Sequence, residues 1–220
     1  MVLIGMYSAT ANPRFGFRGT GFVVGSGNLA VTNAHVLPEA QAAQAEPPQV
    51  AVEVWAGPNQ WAPRMAKVLV VDRIHDLAVL RFEGAGVPAA TLAAERPGEG
   101  ASVAFMGFPI GGALGYSHVT HRGIISSIAA IGLPARTAQQ LNENAIRLMR
   151  QENFEIYQLD ATAYPGNSGG PIFDPQTGAV IGVMNSVLVK GSRESALSQP
   201  SGISYGIPIR HVLNLLQELP

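Results

Sequence analysis

The feature that most constrains the fold of this chain is its series of short apolar runs separated by glycine, proline and asparagine. Runs of about four to eight residues between such turn-forming residues are typical of β-strands. Residues 83–100, which are rich in glycine, proline and alanine, divide the runs into two groups. The sequence therefore predicts an all-β chain of two barrels joined by this connector. The runs lie near residues 2–6, 21–24, 29–32, 50–55, 66–71 and 77–82, and then near 102–105, 117–128, 157–161, 171–173 and 180–189.

The composition limits the classes of function. With 220 residues, 47% hydrophobic and 13% charged, the chain can bury one large core. A formal net charge of −1 without a basic run argues against a nucleic acid partner. No segment is long and apolar enough for a transmembrane helix, so no membrane insertion is expected. The absence of cysteine excludes a cysteine nucleophile, a disulfide framework and a thiolate metal site.

The strongest chemical signal is the stretch Tyr-Pro-Gly-Asn-Ser-Gly-Gly-Pro at residues 164–171. The glycines leave Ser168 unobstructed in a turn, which favours a nucleophile. We expect the backbone amides of Gly166 and Ser168 to point at one spot beside the hydroxyl and to form an oxyanion hole there. Taken alone, an ordinary glycine-rich hairpin turn explains the stretch equally well.

Two other segments change that balance. His35 follows an alternating apolar run, just past a predicted strand end, where a general base would be held rigidly. Asp76 stands at the entrance of the next predicted strand, where its carboxylate can be buried against an imidazole. The chain thus carries His35, Asp76 and Ser168 in the order base, acid, nucleophile, as in the chymotrypsin-type triad.

Three segments are similar to the motifs of a known family: Thr-Asn-Ala-His-Val at 32–36, Asp-Leu-Ala-Val-Leu at 76–80 and Gly-Asn-Ser-Gly-Gly-Pro at 166–171. With them the chain resembles the trypsin-like serine peptidases, and among these the bacterial HtrA (Deg) branch, over roughly residues 19–218. The resemblance implies two six-stranded antiparallel β-barrels with the triad in the cleft between them. It places a single peptidase domain over 1–220, with an N-terminal barrel over about 1–85, a connector over about 86–100, a C-terminal barrel over about 101–207 and a short terminal helix over about 208–219.

The resemblance also implies a function. The expected activity is that of a serine endopeptidase that cleaves polypeptides through an acyl-enzyme intermediate, in protein quality control or in targeted cleavage. A catalytically silent or latent protein that uses the protease fold for binding or as a scaffold is the alternative. Two features depart from many HtrA relatives: residues 135–151 predict a helical insertion, and no PDZ-like region follows the terminal helix.

Specificity is predicted from positions around the nucleophile. Thr162 stands six residues before Ser168, where trypsins that cleave after arginine or lysine carry aspartate, so such cleavage is disfavoured. Cleavage after small or medium aliphatic residues is expected instead. Asn167 stands where trypsins carry an aspartate that pairs with a newly cleaved N-terminus, so activation without zymogen cleavage is expected. The expected substrate-binding residues are Thr162, Ala163, Met184, Asn185, Ser186 and Val187.

The other histidines are expected to have structural roles. His75 and His211 are predicted to be surface or packing residues. His118 and His121 lie three apart, on opposite faces of a strand, so a shared metal ion is not expected. Because no metal, nucleotide or flavin motif occurs, no cofactor is expected.

Two acids and one other fold compete with this interpretation. Asp72 has Arg73 as a ready surface partner, and Asp160 is expected to be structural, which leaves Asp76 as the acid of the triad. The pattern Gly-x-Ser-x-Gly around Ser168 also matches the nucleophile elbow of α/β-hydrolases. An elbow needs a helix directly after the serine, and the Gly-Gly-Pro that follows opposes a helix.

The first residues bear on localisation. Met-Val-Leu-Ile-Gly-Met-Tyr-Ser lacks a basic region, and its apolar run is too short for a signal peptide. If Met1 is the native start, the prediction is a cytoplasmic protein. If an export signal has been removed, the prediction is a periplasmic or secreted one.

Overall fold

Valine, isoleucine and phenylalanine recur in the apolar runs, and in the computed structural model these runs form strands. The structure describes residues 1–38, 49–58, 60–109, 111, 116–130, 154–185 and 202–219. The first six strands are β1 (Val2–Tyr7), β2 (Phe15–Val24), β3 (Leu29–Thr32), β4 (Gln49–Gly57), β5 (Gln60–Asp72) and β6 (Leu77–Phe82). They pair antiparallel in the order β1-β2-β3-β6-β5-β4, and β4 closes the barrel onto β1.

The later strands form a second barrel. They are β7 (Ser102–Gly107), β8 (Val119–Ala130), β9 (Glu155–Asp160), β10 (Pro171–Phe173), β11 (Val180–Asn185) and β12 (Ile203–Pro208). Their order is β10-β11-β12-β9-β8-β7, again with antiparallel pairs, and β10 pairs with β7 to close the barrel. The predicted fold class is confirmed. The helical insertion predicted over 135–151 lies outside the described residues.

The two barrels share one apolar core, which we call the interbarrel core. Strand β6 illustrates its origin: Leu77 and Val79 enter the interbarrel core, while Ala78 and Leu80 join a cluster made by the first barrel alone. Since successive side chains of a strand point to opposite faces, a strand buried on both faces is a continuous apolar run. The buried members of the interbarrel core are Phe22, Val24, Val31, Leu77, Val79, Phe154, Ile156, Val180, Val183, Ile207, Ile209, Val212 and Leu215.

A helix, α1 (Ile209–Gln217), follows β12, where the terminal helix was expected. Ile209, Val212 and Leu215 recur every three residues and are buried in the interbarrel core. The helix therefore covers the side of the core that the strands leave open.

His75 and His211 pack together at the N-terminal end of this helix. Their ring centroids lie 3.9 Å apart with the planes 26° from parallel. The ring of Phe154 lies 4.8 Å from that of His75. The carboxylate of Asp72 accepts from the backbone amide of His75 at 3.0 Å and contacts its ring Nδ1, so in the described residues His75, rather than the expected Arg73, is the partner of Asp72. Burial, with a smaller repulsion from His75, lowers the pKa of His211 to about 4.

We expect the free energy of unfolding to fall as the pH drops from 6.5, the ordinary pKa of histidine, towards about 4. In that range the unfolded chain takes up a proton on His211 while the folded protein does not, so acid favours unfolding. The loss from this residue should be about 1 to 2 kcal/mol once solvent screening is allowed for. Urea unfolding at several pH values measures it.

The variant His211→Phe keeps a ring against His75 and should reduce this pH dependence. The matched control is His118→Phe, because His118 is exposed on the surface and should leave the dependence unchanged. A wild-type pH dependence in His211→Phe would contradict the assignment.

Candidate active site

His35 and Asp76 meet because their strands are neighbours. His35 lies in a 3₁₀ turn, Ala34–Val36, directly after β3, and Asp76 directly precedes β6. The register pairs Thr32 with Ala78, so the end of β3 adjoins the start of β6. Nδ1 of His35 lies 2.6 Å from Oδ2 of Asp76, and the backbone amide of His35 donates to Oδ1 at 2.8 Å. Both carboxylate oxygens therefore hold one histidine.

The backbone of Asp76 is also fixed. Its φ of 52° lies in the left-handed region, which aspartate tolerates better than most residues. Its carbonyl accepts from the backbone amide of Ala34 and from Nδ2 of Asn33, each at 3.0 Å. These contacts hold the unfavourable conformation and give Asn33, in the motif at 32–36, a structural role.

Asn185 makes the third contact to the Asp76 carboxylate. Its Nδ2 donates to Oδ2 at 2.9 Å, although Asn185 ends β11 in the second barrel. Asn185 is 4% exposed, so this contact is shielded from water. The sequence places Asn185 among the expected substrate-binding residues and does not predict its contact with Asp76. The available signal was a polar residue at the end of the buried run Val-Ile-Gly-Val-Met-Asn.

The loop that carries Ser168 is built from turns between β9 and β10. The amide of Asn167 donates to the carbonyl of Tyr164 at 3.0 Å, and that of Gly170 to the carbonyl of Asn167 at 2.9 Å. Gly169 has a φ of 84°, a conformation that glycine adopts readily. Ser168 itself is 4% exposed.

The loop is fastened to the first barrel by close backbone contacts. The amide of Thr20 on β2 donates to the carbonyl of Ser168 at 2.9 Å. A Cβ on Gly169 would lie 2.2 Å from the carbonyl oxygen of Thr20 and 3.1 Å from the backbone nitrogen of Asn33. Since Asn33 is two residues before His35, the structure brings the Ser168 loop to the segment that carries His35.

Asn167, between the two expected oxyanion donors, is fully buried. Its Nδ2 lies 3.5 Å from Nε2 of His121, whose ring stacks on Phe105 with the centroids 4.8 Å apart. Burial lowers the pKa of His121, so this ring is neutral at neutral pH. A neutral amide suits these surroundings, because an aspartate here would bear the cost of a buried charge.

The expected pocket residues have different environments. Thr162 and Ala163 are partly exposed in the segment between β9 and the Ser168 loop. Met184 is fully buried in the core of the second barrel, so its side chain does not line an accessible pocket; its carbonyl instead accepts from Gly169 at 2.9 Å. Ser186 and Val187 lie outside the described residues.

Within the described ranges, no group of three or more histidine, aspartate or glutamate side chains has the arrangement of a metal site. None of the helices described is long and apolar enough to cross a membrane.

Comparison with curated proteins finds relatives over most of the chain. The mitochondrial serine protease HTRA2 of Drosophila pseudoobscura pseudoobscura is 32% identical over 202 residues, which cover 90% of this chain and 38% of that protein. A protein of Halomonas elongata named "Probable periplasmic serine endoprotease DegP-like" is 28% identical over 202 residues, covering 91% of this chain and 35% of that protein. The chain thus spans less than half the length of these relatives.

Structural and family comparisons agree. The crystal structure of the Rv3671c protease from M. tuberculosis in its active form has a TM-score of 0.70 and 23% identity, over 99% of this chain and 79% of that one, which indicates a shared fold. The sequence model of the family described as "Trypsin-like peptidase domain" matches residues 19–183. The predicted resemblance is confirmed, and the chain belongs to the trypsin-like peptidase domain family.

Proposed function

We propose that this chain is a serine endopeptidase that hydrolyses polypeptides through a His35–Asp76–Ser168 triad. The contact of 2.6 Å between Nδ1 of His35 and Oδ2 of Asp76 carries the proposal. With Nδ1–H donating to Asp76, the lone pair of Nε2 is left to accept a proton. The tethering of the Ser168 loop to β2, through the amide of Thr20, supports Ser168 as the source of that proton.

In the proposed reaction, Oγ of Ser168 attacks the carbonyl carbon of the scissile bond while Nε2 of His35 takes the hydroxyl proton. The carbonyl oxygen becomes an oxyanion, and the backbone amides of Gly166 and Ser168 donate to it. His35 then gives its proton to the leaving amine, and an ester on Ser168 remains. Water attacks this ester while His35 takes its proton; the bond to Oγ of Ser168 then breaks, Oγ regains a proton from His35, and the acid product is released.

Asp76 has two tasks in this mechanism. It keeps His35 in the tautomer that exposes Nε2, and its negative charge stabilises the imidazolium that forms during attack. Asn185 donates to Oδ2, the same oxygen that contacts Nδ1 of His35. We propose Asn185 as the residue that fixes the direction of the Asp76 carboxylate, from the opposite barrel.

For substrate choice, we propose a polypeptide with a small or medium aliphatic residue before the scissile bond. Thr162 offers no charge to pair with arginine or lysine, in contrast to the aspartate of trypsins. Asn167, buried against neutral His121, offers no carboxylate for a new N-terminus. We therefore also propose that activation does not require cleavage of a propeptide.

A fluorophosphonate probe tests the proposed nucleophile without a known substrate. We expect intact-mass analysis to find one adduct on the wild type and none on Ser168→Ala, because only an activated serine reacts. The control is Ser126→Ala, at an exposed position of β8, which should label like the wild type. A folded wild type that stays unlabelled would point to the latent or scaffold alternative.

The role of Asn185 is tested by Asn185→Leu, which removes the donor and keeps the branched shape and the number of side-chain heavy atoms. We expect the labelling rate to fall about 10-fold, because Asp76 loses a charge-assisted hydrogen bond worth about 1.5 to 3 kcal/mol, only part of which acts on the transition state. The matched control, Asn28→Leu in the turn between β2 and β3, should keep the wild-type rate. Equal rates for Asn185→Leu and the wild type would contradict the role.

Profiling with a peptide library tests the proposed specificity. We expect valine, alanine or leucine at the residue before the cleaved bond. Thr162→Asp should add activity after arginine and lysine, because a carboxylate in the pocket attracts a cation. Thr120→Asp, an exposed position on β8, is the control and should leave the profile unchanged. A wild-type preference for arginine or glutamate would overturn the proposal.

A further inference from the structure

Each polar group of Thr20 on β2 has a hydrogen-bond partner, and two of these partners belong to the Ser168 loop. Its backbone amide donates to the carbonyl of Ser168 at 2.9 Å. Its hydroxyl donates to the carbonyl of Gly166 at 2.6 Å and accepts from the amide of Phe108 at 3.1 Å. Its carbonyl accepts from the hydroxyl of Thr32 at 2.7 Å. Thr20 is fully buried, so water does not compete for these contacts.

The two carbonyls that Thr20 binds belong to the two residues whose amides are the proposed oxyanion donors. A peptide group is planar, so these contacts fix the Gly166–Asn167 and Ser168–Gly169 peptides, and each proposed donor N–H belongs to the peptide immediately before one of them. Gly166 has a φ of 104° and no Cβ, and its peptide groups would rotate at little cost without an external contact. The hydroxyl of Thr20 supplies that contact.

We infer that Thr20 is a positioning residue for the oxyanion hole. Through its hydroxyl, the first barrel holds the Gly166–Asn167 peptide, which lies between the peptides that carry the Gly166 and Ser168 amides, and so restrains both amides in the loop of the second barrel. This inference rests on the proposed function. The contact of 2.6 Å from the Thr20 hydroxyl to Gly166 carries it, because a side chain makes this contact and a substitution can remove it.

The backbone packing around Thr20 allows its hydroxyl to be tested separately. A Cβ on Gly19 would lie 3.1 Å from the carbonyl oxygen of Ser168, which indicates how closely β2 approaches the loop. This approach does not depend on the Thr20 side chain, so the backbone hydrogen bond from Thr20 to Ser168 should persist in side-chain variants. Thr20→Val keeps the shape and removes the hydroxyl. It leaves the carbonyl of Gly166 and the amide of Phe108 without their partner.

The experiment measures the rate of fluorophosphonate labelling over a range of probe concentrations. We expect Thr20→Val to lower the maximal labelling rate by about 10- to 100-fold, less than the 10²- to 10³-fold typical for removal of an oxyanion donor. The concentration that gives half the maximal rate should change less than about 2-fold, because ground-state binding of the probe does not use the oxyanion hole. Thr20→Ser restores the hydroxyl and should stay within about 3-fold of the wild-type rate.

Thr32→Val is the matched control. Thr32 is also fully buried, and its hydroxyl also donates to a backbone carbonyl, that of Thr20, at 2.7 Å. Both valine variants should lose a similar amount of thermal stability, and only Thr20→Val should label slowly. If Thr20→Val does not fold, Thr20→Ala removes the hydroxyl without adding a methyl group near polar atoms and replaces it in the comparison.

The outcomes are distinct. If the folded variant without the hydroxyl labels as fast as the wild type, the inference is wrong and the proposed function stands. If Thr32→Val labels as slowly as Thr20→Val, the inference is also wrong, because the labelling rate would then follow thermal stability alone. A folded wild type that does not label overturns the proposed function, and the inference falls with it.

Discussion

The interbarrel core is the constraint on which the rest of the structure depends. Phe22, Val31 and Val79 from the first barrel meet Val183 and Ile207 from the second in one buried cluster. Burial of such side chains stabilises a protein by about 1.5 to 3 kcal/mol each, far more than the net effect of a typical hydrogen bond. The apolar contacts therefore set how the barrels sit against each other. The polar contacts of the candidate site then use that fixed arrangement.

Those polar contacts cross between the barrels in both directions. Asn185 reaches from the second barrel to Asp76 in the first, and Thr20 reaches from the first barrel to Gly166 in the second. Each donor is almost or wholly buried, so a small shift between the barrels would break its hydrogen bond without giving water access as a replacement. The contacts thus penalise small shifts between the barrels. A purely apolar interface would accommodate such shifts by repacking.

Much of the fold was predictable from the sequence. Strands buried on both faces, such as β6, are continuous apolar runs, and glycine and proline mark their ends. The contact between His35 and Asp76 was predictable as well, because each residue adjoins the end of a strand. The register between β3 and β6 was not predictable. The turns of the Ser168 loop depend on local glycines and were predictable from a few residues.

The roles of Thr20 and Asn185 were not predictable in the same way. Each is a buried polar residue in a largely apolar strand, and its partner lies 146 residues away for Thr20 and 109 residues away for Asn185. Local spacing carries no information on such a partner. Met184, expected to bind substrate, lies in the core of the second barrel, because alternation along β11 places its side chain on the face opposite to that of Asn185.

The dispersion of the interbarrel core along the chain bears on synthesis. Its members run from Phe22 in β2 to Leu215 in α1, and the helix supplies the last of them. A ribosome releases the first barrel long before β12 and α1, so a growing chain holds His35 and Asp76 without the strands that complete their surroundings. Because Ser168 and Asn185 also lie in the later part of the chain, the candidate site is completed only after the second barrel has been made.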